Sequence, residues 1–193
     1  MSTSPTPADL DHLQSCVDDD AFRGALARFA SGVTVISTVA SSEAGDIDHA
    51  MTASAFTSVS LNPRLVLMCS HKINRFHDAV IASKVWGVSI LAEEGKAASA
   101  WFAKRGRPLD DQFGHYAHHR GVTGVPLLDE ALGWLECRTW SLTDAGDHSV
   151  IIGEVVAAHV KSESFDDPLL YYRSHYGTLV RLPESEKTVE KES

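Results

Sequence analysis

The spacing of apolar residues predicts a helix near the start of the chain. Phe22, Leu26 and Phe29 recur at intervals that place them on one helix face. The aspartates at 18–20 suit the first turn of such a helix, and Gly32 is expected to end it. Residues 33–40 are rich in β-branched side chains and predict a strand, which a turn at SSEAGD connects to a second strand over residues 50–56.

The rest of the chain predicts short strands with a few helices between them. Asn62 and Pro63 turn the chain into a short apolar strand at 65–69. The later elements are expected as a helix within 71–84, a strand at 85–91, a helix within 93–106, a loop-like segment at 105–126, strands at 132–142 and 148–160 joined by a turn at 143–147, and a last strand after Gly177.

This order of elements predicts a mainly β fold. Six or seven strands and three short helices are expected, and most connections are too short for parallel crossovers. No repeat of 20–50 residues is visible, so solenoids and propellers are excluded. We therefore expect an antiparallel barrel or sheet with short helices at its margins.

Composition and charge place this fold in a single, nearly neutral domain. The 193 residues are 44% hydrophobic and 22% charged, and the net charge is −9. The first 20 residues contribute five acids and no base, and 183–193 contribute four Glu against two Lys, so only −2 remains for the body. We expect disordered tails at 1–17 and 183–193 around a domain at 18–182. No broad basic surface for nucleic acid is expected.

The chain also lacks the usual signs of a membrane or secreted protein. No apolar run approaches the length of a membrane helix, and the first residues do not resemble a signal peptide, so a cytoplasmic protein without membrane contact is expected. Cys16, Cys69 and Cys137 are far apart in the sequence, which favours reduced thiols over a disulfide framework.

Several common catalytic and metal-binding motifs are absent. The sequence contains no GxGxxG, GxxxxGK[ST], HExxH or GxSxG, which argues against classical dinucleotide folds, P-loop ATPases, zincins and α/β hydrolases. His115, His118 and His119 lie close together in a glycine-containing loop without a cysteine partner. No metal site is predicted.

A set of short segments occurs in a distinctive order. They are MTASAF at 51–56, SVSLNP at 58–63, the strand at 65–69, DAGDH at 144–148, GEV at 153–155 and PLLYYR at 168–173. Together they resemble the FMN-binding split-barrel flavin reductases, the reductase components of two-component flavin-dependent monooxygenases. The resemblance extends over about residues 22–182. It implies a split β-barrel, a homodimer, and an NAD(P)H:flavin oxidoreductase, with NADH favoured, that supplies free reduced FMN or FAD to a partner monooxygenase.

The resemblance also implies a flavin site. Residues 51–55 would line the isoalloxazine ring, and the small side chains at 52–55 suit its close approach, although they could equally serve tight strand pairing. The basic strand end and helix start at 70–75 would hold the phosphate, or would simply be solvated. Ile73 and Phe76 replace the family's usual hydroxyl residues, so the choice between FMN and FAD stays open. The expected flavin-binding residues are Met51, Thr52, Ala53, Ser54, Ala55, Cys69, Ser70, Lys72, Asn74, Arg75, Trp101 and Phe102.

The GDH triplet marks the expected nicotinamide site. In the resembling reductases this triplet is associated with NADH, and it implies His148 as the catalytic residue, acting to position the nicotinamide ring. Asp147 would orient the imidazole, or would only cap the turn. The expected NADH-binding residues are Asp147, His148, Tyr172, Arg173 and Tyr176.

Two other functions fit the same resemblance less well. One is an oxidase with bound FMN, similar to pyridoxamine-phosphate oxidases, against which the DAGDH segment argues. The other is a flavin-binding carrier or sensor without turnover. Continuous consumption of NADH with added flavin distinguishes a reductase from both.

Overall fold

A computed structural model describes residues 17–43, 45–108, 111–161 and 167–181. The chain folds into antiparallel sheets with three short helices, which confirms the mainly β prediction. The helices are α1 (Asp19–Leu26), α2 (Arg75–Ser83) and α3 (Lys96–Ala103). The strands are β1 (Ser31–Gly32), β2 (Thr34–Ser42), β3 (Gly45–Ala53), β4 (Phe56–Leu61), β5 (Arg64–His71), β6 (Val85–Leu91), β7 (His118–Arg120), β8 (Pro126–Leu128), β9 (Ala131–Ala145), β10 (His148–Val160), β11 (Leu170–Tyr172) and β12 (His175–Gly177).

Seven of these strands form the main sheet, in the order β3-β2-β6-β9-β10-β5-β4. β1, β11 and β12 form a smaller sheet, and β7 pairs with β8. The helices lie at the margins: α2 packs on β2 and β3, and α3 packs on β3. None of the helices in the described residues is long and apolar enough to cross a membrane. The expected tails fall almost entirely outside the described residues.

The first helix is shorter and more exposed than predicted. Asp18 caps it, since its carboxylate accepts a hydrogen bond of 2.6 Å from the Ala21 amide. The helix ends at Leu26 instead of continuing to Gly32, because the Ala27 carbonyl accepts the Arg173 amide and β1 pairs with β11. The apolar side chains that the spacing placed on one helix face, including Phe22 and Phe29, are exposed.

The structure corrects two predicted strands. Residues 50–56 do not form one strand, because β3 ends at Ala53 and the chain turns at 54–55 to pair with β5. The last strand in the described residues ends at Gly177 instead of following it. It is joined to β11 by a tight turn in which Arg173 and Ser174 have positive φ angles of 48° and 63°.

The barrel interior is packed around Trp86. This side chain is fully buried among apolar residues that include Ile36, Met68 and Ile151. A Cβ atom at position 153 would overlap the Trp86 indole ring. The glycine of the GEV segment is therefore required by core packing, and a larger side chain there would force a shift in the strands.

The main sheet curls so that its two ends approach each other. β3 is one edge strand, and β5 lies next to the other edge. Nevertheless, the Ser70 hydroxyl of β5 lies 3.9 Å from the Met51 sulfur of β3. The two ends meet without pairing by strand hydrogen bonds, and the opening between β3 and β5 is called the seam below.

Candidate functional site

A cleft of about 450 Å³ lies at the seam. Its lining residues come from β3, the end of β5, the start of α2, the end of α3, the segment after α3 and the start of β10. They are His49, Ala50, Met51, Thr52, His71, Ile73, Asn74, Arg75, Phe76, Phe102, Ala103, Lys104, Arg105, Gly106, Arg107, Gln112 and His148. The cleft therefore brings together the predicted small-residue strand and the predicted nicotinamide-side histidine.

The open edge of β3 forms one wall of this cleft. The Ala50 amide lies 3.4 Å from Gln112 Oε1, and the Ala50 carbonyl accepts a 2.7 Å hydrogen bond from Arg107. Because backbone groups alternate in direction along an antiparallel strand, those of Thr52 point along the same open edge. The Thr52 hydroxyl donates to the Ser99 carbonyl at 2.6 Å, which fixes this side chain. The wall thus offers backbone groups to a planar polar ligand.

Another part of the cleft, next to the β3 wall, is strongly cationic. Arg75, Lys104, Arg105 and Arg107 line it, and among the described residues the lining includes no Asp or Glu. His49, which is buried beside them, has its pKa lowered by burial and then by the charge of Arg75, with Asp48 opposing. The charge in this cleft is therefore suited to an anionic ligand group such as a phosphate.

Arg107 is a buried member of this cationic region and connects α3 to β3 by hydrogen bonds. Its side chain is only 8% exposed. The guanidinium donates to the carbonyls of Trp101, Phe102 and Lys104, and also to Ala50 of β3. Burial, followed by the charge of Arg75, lowers the pKa of Arg107. The Arg107 carbonyl in turn accepts a 2.5 Å hydrogen bond from Arg75.

A His–Asp–His cluster forms the other end of the cleft. His148 Nδ1 lies 2.7 Å from Asp147 Oδ1, and His71 Nε2 lies 3.5 Å from Asp147 Oδ2. The pKa of Asp147 is lowered, mainly by the hydrogen bond from His148 and further by the charges of His148 and His71. The carboxylate is therefore ionised near neutral pH and orients the His148 ring.

The family model for the flavin reductase like domain matches residues 26–180 of this chain. The chain belongs to the flavin reductase-like domain family. This confirms the resemblance found in the sequence, and the structural relatives confirm the split-barrel fold.

Individual flavin reductases are similar to this flavin reductase-like chain over most of its length. The NADH-dependent flavin reductase StyB of Pseudomonas fluorescens is 37% identical over 83% of this chain and 89% of its own length. The reductase subunit HsaB of a flavin-dependent monooxygenase from Mycobacterium tuberculosis is 33% identical over 85% of this chain and 84% of its own length. The NADH:FAD oxidoreductase SgcE6 of Streptomyces globisporus, solved with NAD and FAD fragments, superposes with a TM-score of 0.78 at 30% identity and covers 86% of this chain and 96% of the solved one.

Six of the predicted binding residues of this flavin reductase-like chain line the cleft directly. They are Met51, Thr52, Asn74, Arg75, Phe102 and His148. Asn74 is the residue before α2, and its side chain makes no capping bond to the helix. Phe102 is buried and lies under the guanidinium of Arg107, 5.4 Å from ring centre to Cζ. Their roles in binding stay predictions.

Lys72 lies outside this lining. Its amide donates to the Asp147 carbonyl at 3.0 Å, and its Nζ donates to the Gly146 carbonyl at 2.7 Å. Nζ also pairs with the Asp144 carboxylate. These contacts hold the β9–β10 turn against the end of β5, whereas the sequence predicted a phosphate contact for this side chain.

Other predicted flavin residues surround the cleft at a distance. Ala53 is buried in the core, and the Ala55 carbonyl accepts the Cys69 amide at 3.1 Å. Ser70 is buried against Met51. Trp101 is half-buried, and its indole donates to the Gln112 carbonyl at 2.9 Å. These side chains support the walls, and a direct flavin contact stays a prediction for each.

A second depression of about 150 Å³ adjoins the cleft. It shares Thr52 and Ala103 with the cleft, and Ser54, Tyr171 and Tyr176 line the rest together with Val33 and Ser99. The Tyr176 hydroxyl lies 2.9 Å from the Ser99 hydroxyl. Tyr172 and Arg173 are exposed on the β11–β12 hairpin and line neither space. Tyr176 thus lines the depression beside the cleft that His148 lines, and the NADH-binding roles of Tyr172, Arg173 and Tyr176 stay predictions.

The three clustered histidines have protein partners. His118 Nδ1 lies 2.9 Å from the Tyr116 carbonyl, and His119 Nδ1 lies 2.6 Å from Asp129 Oδ1. The His115 ring packs edge-on against Trp101. Across the described ranges, no group of three or more His, Cys, Asp or Glu is arranged to hold a metal ion.

Sequence reasoning missed His71 and the segment at 104–107. The cationic segment was readable as KRGR at the end of a predicted helix, but the sequence did not indicate which residues it would approach. His71 ends a strand, and its proximity to His148 depends on strand register, which the pattern of side chains did not reveal.

Proposed function

We propose that this protein is an NADH-dependent flavin reductase that reduces FMN or FAD and supplies free reduced flavin to a partner monooxygenase. The predicted enzyme class agrees with those of the relatives named above. One observation carries the assignment to this site: the edge of β3, the cationic region and His148 all line the same cleft. An oxidised flavin and NADH must meet in such a space.

The residues present fit a flavin. The Thr52 backbone groups on the open edge match the polar rim of an isoalloxazine ring, and Met51 offers apolar surface to one of its faces. Arg75, with Lys104 and Arg105 beside it, would hold the phosphate. The buried Arg107 Nε, which has no hydrogen-bond partner in the described part of the chain, adds to the excess of donors.

The His148 end of the cleft would receive the nicotinamide. Bound flavin supplies the hydride acceptor, so the protein needs to align two rings and does not need an acid or base of its own. Asp147 fixes the direction of the His148 ring, and His148 then positions the nicotinamide beside the flavin. The preference for FMN or FAD and for NADH or NADPH is measured by comparing kcat/KM for each of the four ligands.

Steady-state oxidation of NADH tests the assignment. Purified protein with NADH and a molar excess of FMN or FAD is expected to consume NADH continuously, because reduced flavin leaves and is replaced. A single turnover equal to the protein concentration would instead indicate a carrier. Consumption of O2 with an oxidisable amine as electron donor, without oxidation of NADH, would indicate an oxidase of the pyridoxamine-phosphate type.

Replacing Arg75 with alanine is expected to weaken FMN binding about tenfold or more, because a charge-assisted phosphate contact is lost. Riboflavin, which has no phosphate, should bind with less than about a twofold change. Isothermal titration of both ligands measures the difference. Arg138→Ala is the matched control, since Arg138 pairs with Glu154 on the outer surface. Equal losses for FMN and riboflavin would show that Arg75 supports the fold instead.

The homodimer is part of the same proposal. Phe22 and Leu26 are exposed on α1, Phe29 is exposed just after it, and Trp140 is exposed on β9. Burying such side chains against a second copy would remove apolar area from water. Sedimentation velocity is expected to give twice the chain mass, and a monomer at micromolar concentration would contradict this.

A cytoplasmic location stays a prediction, supported by the free thiols of Cys69 and Cys137.

A further inference from the structure

His71 lies directly beside the proposed nicotinamide-side histidine. It ends β5 in register with His148, and the two ring centres are 4.7 Å apart with a tilt of 57°. Both rings line the cleft. Asp147 lies between them, with one carboxylate oxygen toward each imidazole. A single carboxylate therefore connects two imidazoles at the same end of the site.

The hydrogen-bond partners determine which ring nitrogens carry protons. The Ile73 amide can only donate, so His71 Nδ1, at 3.2 Å, accepts. Neutral His71 then carries its proton on Nε2, the atom that faces Asp147. An ionised Asp147 can only accept, so His148 Nδ1 donates to it. This leaves His148 Nε2 free of the carboxylate.

We propose that His71 is a positioning residue for His148 and acts through Asp147. The Nε2–H of His71 faces the second carboxylate oxygen at 3.5 Å, and this electrostatic contact holds Asp147 in the orientation that keeps His148 in its Nδ1–H tautomer. The inference rests on the proposed function, in which His148 meets the nicotinamide.

His71 is the neighbouring side chain that can restrain the Asp147 carboxylate. The Asp147 side chain is 73% exposed on a two-residue turn, so it needs a second contact to stay in one rotamer. Lys72 does not supply this second contact, because its Nζ binds the Asp144 carboxylate and the Gly146 carbonyl. Within the described residues, His71 is the side chain that contacts Asp147 from the neighbouring strand.

Two substitutions separate the positioning role from a structural one. His71→Gln places an amide nitrogen near the position of Nε2 and can still donate to Asp147. His71→Asn places an oxygen near Nδ1, so it keeps the Ile73 contact but loses Asp147. We expect His71→Asn to lower kcat/KM for NADH about tenfold and His71→Gln to recover most of that loss. The flavin Kd should change by less than about twofold in both variants.

Nitrogen NMR of the imidazole rings gives a readout in the free protein, independent of turnover. We expect the His148 signals to show the Nδ1–H tautomer in the wild type and in His71→Gln. In His71→Asn they should move toward a mixture of tautomers. His119→Asn is the matched control: it removes an exposed His–Asp pair of 2.6 Å outside the cleft, and should change neither the His148 signals nor the NADH kinetics.

The two measurements separate the possible failures. An unchanged His148 tautomer in His71→Asn would overturn the inference, as would equal kinetic losses in the Asn and Gln variants. If His148→Ala leaves NADH kinetics intact, the proposed function of this cleft is refuted. Even in that case, the NMR measurement shows whether His71 determines the tautomer of His148.

Discussion

Replacing His148 with alanine is expected to lower kcat/KM for NADH about a hundredfold, because misplacing a reacting ring by about 1 Å can cost that much. Flavin affinity should change by less than about twofold, since His148 contacts Asp147 and His71 and none of its contacts in the described residues is with the arginines of the cationic region. Stopped-flow reduction of added flavin measures the first quantity, and fluorescence titration of flavin measures the second.

His159→Ala is the matched control for this substitution. His159 lies near the other end of β10, where its ring stacks on Trp134 at 5.4 Å, outside the cleft. Its removal should leave hydride transfer unchanged. If His148→Ala weakens flavin and NADH equally, the imidazole stabilises the fold of the cleft and does not position the nicotinamide.

Replacing Arg107 with methionine is expected to lower the free energy of unfolding by about 3 kcal/mol, because several buried carbonyls lose a charged donor together. For a chain of this length the corresponding fall in melting temperature is about 6–12 °C. The buried carbonyls include those of Phe102 in α3 and Ala50 in β3, so the loss would separate two walls of the cleft. Thermal and urea unfolding followed by circular dichroism measure it.

Arg120→Met is the control that isolates burial. Arg120 also makes several hydrogen bonds, two to Asp48 and one to the Gly124 carbonyl, but its side chain is half-exposed. An exposed pair of this kind contributes about 0.2–1 kcal/mol. Equal destabilisation by the two substitutions would show that the burial of Arg107 has no special importance.

Strands with uninterrupted apolar patterns were predictable from the sequence. The predicted limits of 85–91 and 148–160 coincide with β6 and β10. Both strands pair on two sides within the main sheet, and burial selects the side chains of most of β6 and of the first half of β10. Met51 and His148 were also predictable as site residues, because each lies in a short segment of consecutive residues that carries the family resemblance.

Features that depend on tertiary contacts were not predictable. The early end of α1 follows from β1 pairing with β11, about 140 residues later. The turn at Arg173 and Ser174 contains neither glycine nor asparagine, so it carries no local turn signal. Arg107 has the composition of a solvated loop residue, and its burial depends on carbonyls from two other elements.

The seam between β3 and β5 has a consequence for turnover. The cleft lies where the strands of the barrel are not joined, so a planar ligand can enter and depart without any strand pair separating. A closed barrel would have to break several backbone hydrogen bonds for each exchange. The incomplete closure thus gives an enzyme that must hand over its product an exit route that leaves the scaffold intact.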